Sequence, residues 1–161
     1  MSNQKLKWAA ILSFLVAMVI LLAGGFAARE HLPPYPGEVV GPDGTLLFQK
    51  SDILAGQEVY QRYGLMDHGS IWGHGTQRGP EFSAKTLHLM SRSIRDHVAL
   101  QDYGKPYADL DPLQKDLVDV KVRNEVKTNR YDPSKDTLTL TTGQARALEE
   151  IHAFWARIFK E

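Results

Sequence analysis

The chain has 161 residues, and its 19 Lys and Arg balance its 19 Asp and Glu to a formal net charge of zero. That balance gives no electrostatic case for nucleic-acid binding. The chain has no cysteine, which excludes disulfides, thiol catalysis, Cys-ligated zinc, iron–sulfur clusters and covalently attached haem.

From Trp8 to Ala28 the sequence WAAILSFLVAMVILLAGGFAA carries no charge. A helix of this length rises about 30 Å, the thickness of a bilayer core. Lys5 and Lys7 precede it and Arg29, Glu30 and His31 follow it. The cationic bias on the N-terminal side predicts that residues 1–7 stay in the cytoplasm, that residues 8–28 span the membrane, and that the remainder lies outside. The rival reading is a cleaved signal peptide, with Gly25-Phe26-Ala27 at the cleavage site, but the apolar run exceeds the usual signal core. Ala23, Gly24, Gly25, Ala27 and Ala28 would let another helix approach closely.

Residues 29–50 read as a stiff exit and a hairpin. Pro33, Pro34 and Pro36 favour an extended spacer. Val39-Val40 and Leu46–Phe48 form the arms, with Gly41-Pro42-Asp43-Gly44 as the turn. Residues 51–161 read as a mainly helical domain. Ser51 or Asp52 caps a helix that runs to Tyr63 and stops at Gly64, with Ile53, Val59, Tyr60 and Tyr63 facing inward. Gly69, Gly73, Gly75 and Gly79 mark an ordered loop or a series of turns. Ser83 caps the next helix, whose stripe is Leu87, Met90, Ile94 and Val98, and Gly104-Lys105-Pro106 ends it. Asp111-Pro112 opens a fourth helix with Gln114 as capping partner, and Leu113, Leu117, Val120 and Val126 face inward. Asn129–Ser134 is a turn and Thr137–Thr141 a short strand. Thr141 or Thr142 caps the last helix, whose apolar face comprises Ala147, Leu148, Ile151, Phe154, Trp155 and Ile158. That face still runs at Lys160-Glu161, as expected of a helix that packs on something further or of a chain that continues.

Candidate chemistry is sparse. The six histidines, His31, His68, His74, His88, His97 and His152, include no pair at a metal-site spacing such as HExxH. His68 and His74 are a weak zinc signal. Asp67, His68 and Ser70 invite a triad, but sequence neighbours rarely face one another productively. One spacing is more informative. In cytochrome c domains a helix carrying a glycine and then an aromatic residue leads into Cys-x-x-Cys-His. Here Gly56 and Tyr60 lead to Gly64-Leu65-Met66-Asp67-His68, where the histidine is present and both cysteines are absent. Gly79-Pro80-Glu81-Phe82 is similar to the Gly-Pro segment that lines haem in such domains. The plain alternative is a helical domain whose glycines serve turns.

The stretch ILAGQEVYQRYGLM from Ile53 to Met66, continuing as DHGSIWGHGTQRGPEFSAKTLH to His88, resembles the front part of quinol-dependent nitric oxide reductase. The most specific pieces are RYGLM, GSIWGHG and GPEFSA, and the resemblance extends over nearly the whole chain. It implies one transmembrane helix followed by an extracytoplasmic, periplasmic domain of cytochrome c fold without haem, in the inner (cytoplasmic) membrane of a denitrifying respiratory chain. The catalytic part of that family is a haem-copper-oxidase-like bundle of about a dozen membrane helices with two b-type haems and a non-haem iron. It reduces nitric oxide to nitrous oxide. Its ligands have no counterpart here, so the resemblance implies no catalytic, cofactor-binding or metal residue in this chain, and partners that are membrane lipid and that bundle.

The role left to such a domain is to cap, position and shield. Trp72 is either an anchor in a partner or the filler of the pocket that haem vacated. His74 would hydrogen-bond beside it, Met66, Phe82 and Met90 are further pocket fillers, and Trp155 lies on the approach to the membrane core. The competing expectation is an anchored, non-enzymatic scaffold or sensor domain. A weaker one is a domain that holds haem non-covalently through His68.

Overall fold

The computed structural model describes residues 3–159. It divides into two compact units, residues 1–35 and 36–161. The first is the helix α1, Asn3–Glu30. Among the described residues it is the one helix long and apolar enough to cross a membrane, with a mean hydropathy of 2.5 and no part of it buried in protein.

The second unit is mainly helical with a small sheet, as its sequence predicts. The hairpin forms from β1, Glu38–Val40, and β2, Leu46–Gln49. Its turn closes through the Gly44 amide onto the Gly41 carbonyl (3.1 Å) and through Asp43, which accepts from the Thr45 amide and hydroxyl. The sequence did not predict how this hairpin extends. The segment read as a turn contributes β5, Tyr131–Asp132, which returns through β6, Thr137–Thr139, and β6 lies parallel to β1. The sheet order is β2-β1-β6-β5. Val39, 1% exposed, is its buried centre. A parallel pairing between residues about a hundred apart leaves no local signal.

Helix α2, Lys50–Arg62, begins two or three residues earlier than expected. Its N-cap is Gln49, and Asp52 is the third helical residue, whose carboxylate takes the Gln49 amide at 2.8 Å. No residue of α2 is buried; Val59 and Tyr63 are exposed, and Ile53 and Tyr60 are half-buried. The expected inner face is therefore reduced to these two. Gly64, at φ 62°, stops the helix as predicted. Helices α3, Phe82–Tyr103, α4, Pro112–Lys127, and α5, Thr142–Ile158, build the core. Gly104, at φ 65°, ends α3. Asp111 with Gln114, and Thr141 with Gln144, form the capping boxes of α4 and α5.

Ile94, Val98 and Ala99 of α3, Val118 and Val122 of α4, Ala147 of α5, and Leu110 form one buried cluster, flanked by Met90, Tyr103, Tyr107 and Val126. On α3, Leu87 turns out to be exposed. On α4 the sequence pointed to the wrong stripe. Leu113 is 69% exposed, Leu117 49% and Val120 47%; of the four residues expected inside, Val126 does pack against the core, and the buried positions are Val118 and Val122. Two apolar rows at helical spacing run along this helix, and periodicity alone does not rank them. Lys121, on the polar side, takes the Asp102 carboxylate at 2.6 Å and ties α4 to α3. On α5, Ala147 and Ile151 are buried, Leu148, Phe154 and Trp155 are half-buried, and Ile158 is exposed. The expectation about Lys160 and Glu161 lies outside the described residues.

These assignments separate two substitutions. Ile94→Ala, at a fully buried position, should cost about 2–5 kcal/mol in chemical denaturation. Leu117→Ala should stay within about 0.5 kcal/mol of the parent. A large loss at Leu117 would restore the other face of α4.

Candidate functional site

The glycine-rich stretch folds into a two-stranded hairpin. Strand β3, Ser70–Ile71, pairs antiparallel with β4, His74–Gly75. Trp72 and Gly73 are its two-residue turn, at φ 51° and 76°. This pair of positive angles belongs to the type I′ turn, which matches the twist of the strands and which glycine, asparagine and aspartate ordinarily supply. A tryptophan in the left-handed region is a steric outlier.

Three glycines let the surrounding backbone close up. A Cβ on Gly79 would sit 1.8 Å from the His68 carbonyl oxygen, and one on Gly75 would sit 2.3 Å from that of Gly69. At Gly69 it would meet the Phe82 ring and the Pro80 carbonyl, both at 2.5 Å. These glycines thus serve approaches within the chain itself, whereas Gly73 meets open space. The Tyr60 hydroxyl lies within hydrogen-bonding distance of the carbonyls of Gly69 (3.2 Å) and His74 (3.0 Å), and the Thr76 amide donates to the Met66 carbonyl at 2.7 Å.

The turn is clamped from α3. Its N-cap is Glu81, two residues before the expected Ser83, and the Glu81 carboxylate accepts the Ala84 amide. The same carboxylate accepts the Gly73 amide at 3.4 Å, and the Ser83 hydroxyl oxygen, freed from capping, accepts the Trp72 amide at 3.1 Å. The Ala84 amide above all, with help from Gly73 and Trp72, holds the Glu81 carboxyl below the usual carboxylate range.

Behind the hairpin stands an aromatic wall. Phe82 meets Trp155 edge-on at 5.4 Å between ring centres, Phe154 meets Trp155 at 5.1 Å, and Phe159 lies 6.0 Å from Trp155. The Trp155 indole N–H donates to the Thr86 hydroxyl oxygen at 3.1 Å. Two apolar grooves share this wall. One, of about 530 Å³, is bordered by His68, Pro80 and Lys85. The other, of about 230 Å³, is bordered by Gly56, Tyr60, Leu65 and Ile71. Positions 64–68, where a haem-attachment motif would fall, therefore edge both grooves. The residues present do not suit a haem held in the usual way: no thiol is available, and rings occupy the ground between the grooves.

The sequence-predicted residues divide accordingly. Phe82 and Trp155 are brought together in the wall. Trp72 is not in it: at 77% exposure it stands clear of the domain, which overturns the pocket-filling reading. Met66 is exposed as well, and Met90 packs against the main core rather than the wall. The His74 ring accompanies the turn, its Nδ1 lying 3.0 Å from the Trp72 carbonyl oxygen. Among the described residues, no side-chain hydrogen bond joins Asp67, His68 and Ser70, and no cluster of metal-binding side chains is present. Sequence reasoning missed Phe159, Thr86 and the double role of Glu81. An acidic residue just before a helical run was the available signal for the last.

Residues 36–161 match the family profile that describes the cytochrome c-like domain of the nitric oxide reductase NorB. No curated protein matches the chain.

Trp155→Ala should lower stability by about 3 kcal/mol, the lower end for a tryptophan packed in a core, whereas Trp72→Gly should leave the melting temperature unchanged or raise it by relieving a strain of about 1–2 kcal/mol. Thermal melts of both variants check this. Because the Glu81 carboxyl is held low, its clamp is complete above the ordinary glutamate value and is lost as pH falls through the folded value, in the window below about 4. Amide exchange at Gly73 and Ala84, corrected for the intrinsic pH effect, should accelerate there, and Glu81→Gln should remove that pH dependence.

Proposed function

The chain belongs to the family of NorB cytochrome c-like domains of nitric oxide reductase, and from that premise we propose that it is the haem-free, membrane-anchored front part of a quinol-dependent nitric oxide reductase. It contributes structure and assembly rather than catalysis. The reduction of two nitric oxide molecules to nitrous oxide belongs to a multi-helix, haem- and iron-bearing bundle on another segment or another polypeptide. In this reading α1 spans the inner membrane with its N-terminus in the cytoplasm, and the second unit is periplasmic.

The observation that carries the haem-free assignment is the aromatic wall. In a cytochrome c the space beside the attachment run holds a porphyrin. Here Phe82 and Trp155 pack edge to face beside that run, and the Trp155 N–H is satisfied by Thr86. An apolar site that has lost its cofactor leaves a costly void unless bulky side chains occupy it, and these two rings take up part of that space, with a groove on either side of them. The missing cysteines agree with it. The assignment of the domain to assembly rests on the clamped hairpin and the aromatic wall, which are packing devices.

The test is spectroscopic and compositional. Purified full chain should show no Soret band, and added haemin should produce none that Trp155→Ala or His68→Ala alters. Affinity purification from the native membrane should bring down a multi-span protein with b-type haem and non-haem iron. A stoichiometric Soret band carried by this chain alone would overturn the haem-free assignment. Recovery of the chain without any multi-span haem protein would favour the scaffold or sensor reading.

A further inference from the structure

The larger of the two grooves beside the aromatic wall stays open after the rings have packed. At about 530 Å³ it falls within the size range of small-molecule sites, which are mostly apolar with a few polar groups that fix orientation. The rings of Phe82, Phe154, Trp155 and Phe159 line it with Pro80 and Ile158, and its two remaining lining residues are His68 and Lys85. The Trp155 indole N–H is already given to Thr86. The polar recognition left to the groove is therefore the Lys85 ammonium and the His68 imidazole.

The charge around the groove selects its ligand. The Lys85 ammonium lies over the Phe154 ring, 5.5 Å from its centre, and the Arg157 guanidinium stands 6.0 Å from the same centre. Among the described residues, none of Lys85, Arg157 and His68 is in an ion pair, and no carboxylate lines the groove. Asp67 and Glu81 adjoin lining residues in sequence, but the Asp67 carboxylate lies beside Gly64 and that of Glu81 is taken by the Ala84 and Gly73 amides. A cationic ligand would meet like charge over a ring that two cations already share. A neutral one gains nothing from the ammonium. An anion gains a charge-assisted hydrogen bond, and a flat ring suits walls made of aromatic edges and faces.

We propose that this groove binds a small aromatic carboxylate, its ring against the four aromatic side chains and its carboxylate on Lys85. The N–H that any imidazole carries makes His68 the second donor. The site lies wholly within the second unit and needs neither a membrane span nor a haem. It gives the domain a ligand-binding capacity beyond its assembly role.

Equilibrium dialysis of the full chain in nanodiscs, with empty discs subtracted, tests this with three probes of one shape: naphthoate, neutral naphthamide and cationic naphthylmethylammonium. Naphthoate should bind saturably, and more tightly than either of the others. Lys85→Gln should weaken naphthoate about two- to fivefold, the scale of an exposed ion pair, and erase its advantage over naphthamide. Phe159→Ala should weaken naphthoate and naphthamide alike. Lys105→Gln, beyond the far end of α3 and about 30 Å from Lys85 by helix rise, should change neither. In the parent chain, equal binding of naphthoate and naphthamide, preference for the cation, or no binding above the empty discs at millimolar ligand overturns the proposal, and none of these outcomes depends on a variant that folds. A Lys85→Gln chain that keeps the full preference, a Lys105→Gln chain that loses it, or an unchanged affinity in Phe159→Ala overturns it as well. Each of these results leaves the haem-free assignment standing, since the Soret measurement tests that separately.

Discussion

The second unit depends on one close crossing of backbone. Gly79 passes so near the His68 carbonyl that no side-chain carbon fits between them, and Gly69 and Gly75 allow the same intimacy beside it. That crossing delivers Pro80, Glu81 and Phe82 to the start of α3 at a defined position. Phe82 then reaches Trp155 on α5, and Glu81 reaches both the first turn of its own helix and the tip of the hairpin. The wall and the hairpin are thus two outcomes of one steric allowance. A larger residue at any of the three glycines would have to part the strands and disturb both at once.

The core proper is more ordinary. Three helices enclose a cluster centred on Ile94 and Val118, and the first amides of α4 and α5 are satisfied by capping side chains. The sheet β2-β1-β6-β5 joins the beginning of the unit to the loop before its last helix. That long-range pairing closes the chain on itself and makes the unit a single body rather than a string of helices. A residual apolar row on α4 stays outside this arrangement.

On the proposed reading, a fold adapted to hold a haem has been turned into packing material. The rings of Phe82 and Trp155 replace a flat cofactor with interlocking edges, and the capacity to move electrons is replaced by rigidity. Rigidity is what a domain needs if it is to hold a fixed pose over a membrane enzyme. It is also what the clamped Trp72 turn displays locally, since a strained tip is useful only when the scaffold beneath it does not relax.

Much of this was legible in the chain. The uncharged run of α1, the Gly-Pro-Asp-Gly turn, the stops at Gly64 and Gly104, the Asp111–Gln114 cap and a threonine cap at 141 or 142 are local, because each depends on residues within a few positions of one another. The family resemblance was legible for a related reason: motifs such as GSIWGHG and GPEFSA are short runs. The sequence by itself therefore determined the helices and the first hairpin, most of their ends and their kinship. The tertiary structure decided which of two apolar rows on α4 is buried, that β1 lies beside β6, that Glu81 rather than Ser83 caps α3, and that Trp72 faces outward while Trp155 packs into the wall. Each of these turns on which distant surface a side chain meets. Periodicity, propensity and spacing describe a residue's own neighbourhood, and they carry no information about the partner that the fold brings to it.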